Sequence, residues 1–177
     1  MDGTPIVTTD EITLPTEILR YLSDEVEKVS DKHSSIRLLQ KAGYRAGSST
    51  YGAFDAGIDG PVLGIIQSIF WEYFCDFFSR RGWGTLVVNL DQTELGFLSS
   101  SDWVEAMTDE IRGDASCCFS TGYISGLLSE ITGSPVAVLE TKCRARGSKG
   151  CEFAFGSERA VRKRYGQLIA DADLSTP

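Results

Sequence analysis

The sequence predicts an α+β fold, an antiparallel sheet meander packed with helices. Three observations carry that expectation. Helical periodicity dominates the chain up to Arg81. Short runs rich in strand formers follow, Trp83 to Leu90, Leu95 to Ser99, Val136 to Thr141 and Glu152 to Phe155. A last helical stretch, Glu158 to Asp171, closes the order. The length of 177 residues suits one compact domain. No repeat, low-complexity tract or linker divides it.

Residues 1–13 read as loose or extended. From Thr16 to Val29, the residues Ile18, Leu19, Leu22, Val26 and Val29 recur on one helical face. His33 follows in a polar loop, and Ser34 or Ser35 can cap a second helix carrying Ile36, Leu38 and Leu39. That helix continues through Gly43, Gly47 and Gly52, where glycine either admits close packing or breaks the helix. Gly57 to Pro61 is a break, and Pro61 suits the first turn of the next helix. Val62 to Arg81 is apolar on nearly every side, so wide burial is expected. Phe70, Trp71, Phe74 and Trp83 are the candidate walls of an apolar ligand cavity between this helix and the sheet, although such side chains also serve as plain core. Ser101 to Arg112 fits strand or helix. Asp114 to Thr132 reads as helix, with Gly122 and Gly126 spaced for close approach of another element. The tail at 172–177 is expected to fray.

The chemical signature lies between Cys117 and Cys151, which hold four of the five cysteines together with Glu140. Thiolates and a carboxylate this close along the chain fit a closed zinc site, while buried free thiols are the competing reading. A hairpin centred on Gly147 would make Cys143 and Cys151 cross-strand neighbours. Glu140 stands three residues before Cys143, so a regular strand would point the two to opposite faces. Joint ligation therefore needs a bulge, a strong twist or a strand end. Cys117 or Cys118 would come from the preceding helix, and the site would tie that helix to the hairpin.

Gly122-Tyr123-Ile124-Ser125-Gly126, followed by Glu140, Cys143, Gly147, Cys151 and Phe153, resembles the 4-vinyl reductase domain family. The likeness is specific over residues 113–157 and weaker at Gly43-Tyr44-Arg45-Ala46-Gly47 and Gly82-Trp83-Gly84. It implies a structural zinc held by Cys117, Glu140, Cys143 and Cys151, with Cys118 as the neighbouring alternative to Cys117. Domains of this kind commonly pair, which implies a homodimer or a heterodimer with a paralogue. The resemblance spans aromatic-responsive sensory modules, stand-alone proteins of bacteriochlorophyll and chlorophyll synthesis, and small subunits of vesicle-tethering complexes. Phenol-binding members anchor their ligand with a histidine, and the one histidine here, His33, lies far upstream.

Composition is that of a globular protein, 42% apolar and 24% charged. The net charge of -8 argues against general nucleic-acid binding. Lys142, Arg144, Arg146, Lys149, Arg159, Arg162, Lys163 and Arg164 make the C-terminal part basic. They read as a solvated surface that compensates an anionic thiolate site, or as a patch for an acidic partner. No apolar run reaches membrane-span length, and the N-terminus lacks signal-peptide character. A cytoplasmic location is expected, with peripheral contact to a photosynthetic membrane as an option. Reduced, clustered cysteines there bind metal more readily than they form disulfides. No catalytic residue is assigned: a nucleophile system would rest on His33 alone, and neither a phosphate loop nor a dinucleotide fingerprint is present. A site of three cysteines and a glutamate also leaves zinc no open position for water. The leading expectation is a non-catalytic carrier or photosynthetic assembly factor for a hydrophobic small molecule, a chlorophyll-pathway tetrapyrrole. A protein-binding scaffold subunit comes second. A vinyl reductase acting on a divinyl tetrapyrrole with an external reductant comes third.

Overall fold

A computed structural model describes residues 14–58, 67–90, 94–107, 111 and 117–174. The helices are α1 (Ile18–Val29), α2 (Lys32–Asp55), α3 (Gln67–Arg80), α4 (Cys118–Thr132) and α5 (Glu158–Leu174). The strands are β1 (Val87–Leu90), β2 (Leu95–Ser100), β3 (Ala137–Lys142) and β4 (Cys151–Gly156). All pairings are antiparallel, and the sheet order is β1-β2-β4-β3. The expected α+β class holds, but the sheet is not a meander. Helix α4 intervenes between β2 and β3, and the β3-β4 hairpin returns to dock through β4 onto β2, leaving β3 at the edge.

The second helix begins earlier than Ser34. Asp31 is its cap, accepting from the Ser34 N–H at 3.1 Å and from the Ser34 hydroxyl at 2.6 Å. His33 therefore sits in the first turn of α2 and not in a loop. Strand β1 starts at Val87 and not at Trp83. Gly84 has φ +123°, outside the strand region, and the segment is pinned instead by Asp102, whose carboxylate accepts from the Thr85 N–H at 2.8 Å. Helix α3 is described from Gln67, so 62–66 of the expected helix lie outside the described residues, as do 1–13, Pro61, 114–116 and 175–177. Within Ser101 to Arg112, the described backbone forms a short 3-10 turn, Val104–Ala106. Helix α5 continues to Leu174.

Helices α2 and α4 cross in contact at the backbone level. Gly43 and Gly47 on α2 face α4, and Gly122 and Gly126 on α4 face α2. A Cβ added at any of the four would collide with a carbonyl oxygen of the other helix, those of Phe119, Tyr123, Gln40 and Tyr44 respectively. Polar bonds flank the crossing: Tyr123 Oη lies 2.9 Å from Thr50 Oγ1, and Gln40 Nε2 donates to Thr121 Oγ1 at 3.3 Å.

One face of the sheet carries Leu98, Cys151, Phe153 and Phe155, set by alternation and by the pairs Leu98↔Phe153 and Ser100↔Cys151. Trp103, Phe54, Phe74, Phe78 and Phe153 are fully buried in the core on this side. Edge-to-face contacts such as Phe54–Phe77 at 5.0 Å and Trp103–Phe153 at 5.4 Å join them into one aromatic layer. Helix α5 packs on β3 and β4, with Ala160 and Val161 buried.

Candidate metal centre

The register of β3 against β4 explains how Glu140 and Cys143 reach one place. Glu140 pairs with Phe153, which puts its side chain on the inner face that Cys151 shares. The next pair is Lys142↔Glu152, so Thr141 is an extra residue, a β-bulge. The bulge resets the alternation, turns Lys142 outward and brings Cys143 back to the inner face. Strand alternation demands such an irregularity, and Thr141 supplies it. Glu152 clamps the bulge, accepting from Thr141 Oγ1 at 2.7 Å and pairing with Lys142 Nζ at 2.9 Å. Beyond Cys143 a 3-10 turn, Arg144–Arg146, ends at Gly147 with φ +88°, a left-handed geometry that favours glycine. The chain then returns into Cys151.

The fourth member comes from the N-terminus of α4. Cys117 is its N-cap residue. The ligand atoms of Cys117, Glu140, Cys143 and Cys151 all lie within 4.8 Å of one another, close enough to hold a metal. The three cysteines are buried. Cys117 Sγ and Cys151 Sγ are 3.7 Å apart, and neither thiol is in a disulfide. A tetrahedron of ~2.3 Å metal–sulfur bonds has sulfur–sulfur edges of about 3.8 Å, so this separation fits two thiolates on one ion. Cys118, although buried, is not a member of the cluster; the first helical position points it elsewhere.

Electrostatics make the site unstable as four free anions. Burial, then the neighbouring Cys143, pushes the Glu140 carboxyl up to about 8. Hydrogen bonding to Cys143 and Cys151, with burial behind it, raises the Cys117 thiol well above its ordinary range. At Cys151 the Cys117 contact favours the thiolate, but Cys143 and burial push the thiol up to about 12. Burial likewise pushes Cys118 up to about 12. One oxygen of Glu140, Oε2, accepts weakly from the Cys117 N–H at 3.4 Å, while Oε1 is buried with no hydrogen-bond partner. A buried orphan oxygen beside three sulfurs is a donor set that a cation would satisfy.

Of the other sequence candidates, Phe74 is fully buried in ring contacts with Phe54, Phe70, Trp71 and Phe78. Trp83, half-buried, stacks with Trp103 at 5.6 Å and meets Tyr123 at 4.8 Å. Trp71 lies in an open groove of about 480 Å³ between α3 and β1, together with Cys75, Val88 and Leu90. Sequence reasoning passes over Glu105, a buried carboxylate in the 3-10 turn next to the centre. Its one signal is a lone acid between Val104 and Ala106.

Residues 104–157 match the 4-vinyl reductase (V-4-R) domain. The fold is similar to the phenol-responsive sensory domain of the transcription activator PoxR, solved with phenol: TM-score 0.69 at 16% identity, covering 94% of this chain and 84% of that one. It is similar to trafficking protein particle complex subunit 3 from Naegleria fowleri, solved covalently bound to palmitic acid: TM-score 0.63 at 13% identity, covering 80% and 91%. A vinyl-4-reductase family protein from Methanocaldococcus jannaschii gives TM-score 0.52 at 17% identity, covering 82% and 83%. No curated protein matches the sequence. The chain thus carries an α+β fold of the 4-vinyl reductase type, with a cysteine-glutamate cluster able to hold a metal.

Proposed function

We propose that this chain is a non-catalytic, zinc-stabilised domain that binds an apolar small molecule. The observation that carries the zinc assignment is the orphaned Glu140 Oε1 on a carboxylate gathered with three buried sulfurs. Soft thiolates with one carboxylate at tetrahedral spacing suit zinc, and four protein ligands close the coordination sphere. The ion would fasten the start of α4 to the β3-β4 hairpin. Protein purified without chelator is expected to carry one zinc per chain by elemental analysis and native mass spectrometry. Absence of stoichiometric metal would sink the assignment.

The small-molecule reading is supported by the aromatic layer and by the fold relatives, two of which were solved with apolar molecules, phenol and palmitic acid. A flat conjugated tetrapyrrole is the specific proposal, with Phe70, Trp71, Phe74 and Trp83 as its contacts. Trp71 is the most approachable, since it lines the groove against β1. Chlorophyllide or a precursor is expected to shift its absorption on mixing and to quench tryptophan fluorescence. Trp71→Ala is expected to weaken both effects, read only after folding is checked, because truncating a buried aromatic costs about 3–5 kcal/mol. A flat titration with pigment would favour a second reading, a protein-binding subunit. That reading draws on exposed apolar side chains of α1 and α2, including Val29 at 84% exposure.

A further inference from the structure

Helix α4 has an unusual beginning. In a locally capped helix the N-cap side chain folds back to accept from the N–H groups of the second and third helical residues. Cys117 is the N-cap residue here and makes no such bond; its sulfur is turned to Cys151 instead. The two N–H groups in question belong to Phe119 and Ser120. Both donate to Glu105, Phe119 to Oε1 at 2.9 Å and Ser120 to Oε2 at 2.7 Å, and the Ser120 hydroxyl donates to Oε2 as well. That hydroxyl in turn accepts from Trp103 Nε1 at 2.8 Å. The 3-10 turn bearing Glu105 is fixed by the Val104 N–H, which donates to the Trp83 carbonyl at 2.9 Å.

From this geometry we infer that Glu105 is a surrogate N-cap whose role is to free the Cys117 sulfur for metal. The inference rests on the metal assignment made above and adds a positioning residue to that site. The carboxylate occupies both donors that Cys117 would otherwise have to serve. Without it, two N–H groups at the helix start lack an acceptor, and the nearest candidate is the Cys117 sulfur itself, pulled back over its own helix and off the metal. Loss of Glu105 should therefore act on one ligand in particular and not on the site as a whole.

The test uses the full chain, zinc, and cobalt(II) as a spectroscopic probe. Glu105→Gln keeps the shape but replaces one acceptor oxygen with an amide that cannot accept. Zinc affinity is measured by chelator competition, and the number of bound thiolates by the sulfur-to-cobalt charge-transfer band, with Cys117→Ser as the two-thiolate reference. The expected result is a roughly 10–100-fold loss of zinc affinity, the range for outer partners of metal ligands, with a cobalt band falling toward that of Cys117→Ser. Unchanged affinity overturns the inference. So does weaker affinity with the three-thiolate band intact, since that describes a general structural role. A Glu105→Gln chain that fails to fold in excess zinc also overturns it, by making Glu105 a requirement of the core. Wild-type protein that binds neither ion defeats the metal assignment itself, a distinct outcome.

Discussion

Glu140 and its three sulfur neighbours put proton binding and metal binding in direct competition. In the metal-free protein, burial and the Cys143 neighbour hold the Glu140 carboxyl at about 8 against its ordinary 4.5. Its folded value is raised, so its protonation stabilises the metal-free fold below the ordinary value, and that contribution is lost as pH rises through about 8. Cys117 and Cys151 are shifted in the same direction and keep their protons at neutral pH. A metal reverses the preference, because it binds thiolate and carboxylate only. Two outcomes are expected. Zinc uptake at neutral pH releases protons, so its calorimetric enthalpy changes with the ionisation enthalpy of the buffer. The gap in melting temperature between zinc-loaded and zinc-free protein widens from about pH 6 to about pH 8. A buffer-independent enthalpy would show that the ligands are already deprotonated and would contradict the electrostatic account.

The α2–α4 crossing turns on four glycines whose missing side chains let two backbones touch. Gly47→Ala or Gly122→Ala places a Cβ against a carbonyl oxygen that cannot rotate away, as a flexible side chain would. Each is expected to destabilise by about 1–3 kcal/mol, the usual cost of overpacking, with larger values where the helices cannot separate. Gly52→Ala, in the same helix as Gly47 with nothing within 4 Å of the added Cβ, should instead stabilise by roughly 0.5–1 kcal/mol through helix propensity. Urea titrations of the three variants check the contrast, and equal effects would refute the close crossing. The spacing of these glycines was legible in the sequence because a four-residue period marks one helix face. So was the need for an irregularity between Glu140 and Cys143, because strand alternation forbids them a common side. The strand order was not legible: the hydrophobic pattern of β2 and β4 shows an inner face but not which strand lies beside it. Glu105 was missed for a related reason. Its importance comes from Phe119 and Ser120, which are distant in sequence and adjacent only after α4 docks. The bulge itself offers a further test. Deleting Thr141 restores regular alternation and points Cys143 outward, so zinc should be lost, whereas Thr141→Ser, which keeps the hydroxyl bond to Glu152, should retain it. Equal zinc content in both would rule out the bulge as the positioning device.

Charge and apolar surface are distributed unevenly over the molecule. The chain carries -8 overall, yet the β3-β4 turn and α5 are rich in arginine and lysine, near a site whose four ligands are all anionic when they hold a dication. No helix among the described residues is long and apolar enough to cross a membrane. The apolar stripe of α1 does not point inward as its spacing suggests. Ser23 is the buried residue of that helix, while Tyr21, Leu22 and Val29 are 52%, 48% and 84% exposed. Leu38 and Tyr44 of α2 are exposed as well. An amphipathic helix that keeps its apolar residues outward gains most by covering them, at roughly 1.5–3 kcal/mol for each large side chain fully buried. A second copy of this chain, or a paralogue, is the expected cover, through α1 and α2 and not through α3, whose Trp71, Phe74, Phe77 and Phe78 are already buried within the fold. Sedimentation at tens of micromolar is expected to show a dimer. The double substitution Leu22→Glu and Val29→Glu should convert it to a monomer with little change in the fold, because both side chains are exposed within the protomer. A wild-type monomer with no partner recovered from cells would leave the exposed stripe without this role. A dimer unmoved by the double substitution would place the contact on another face.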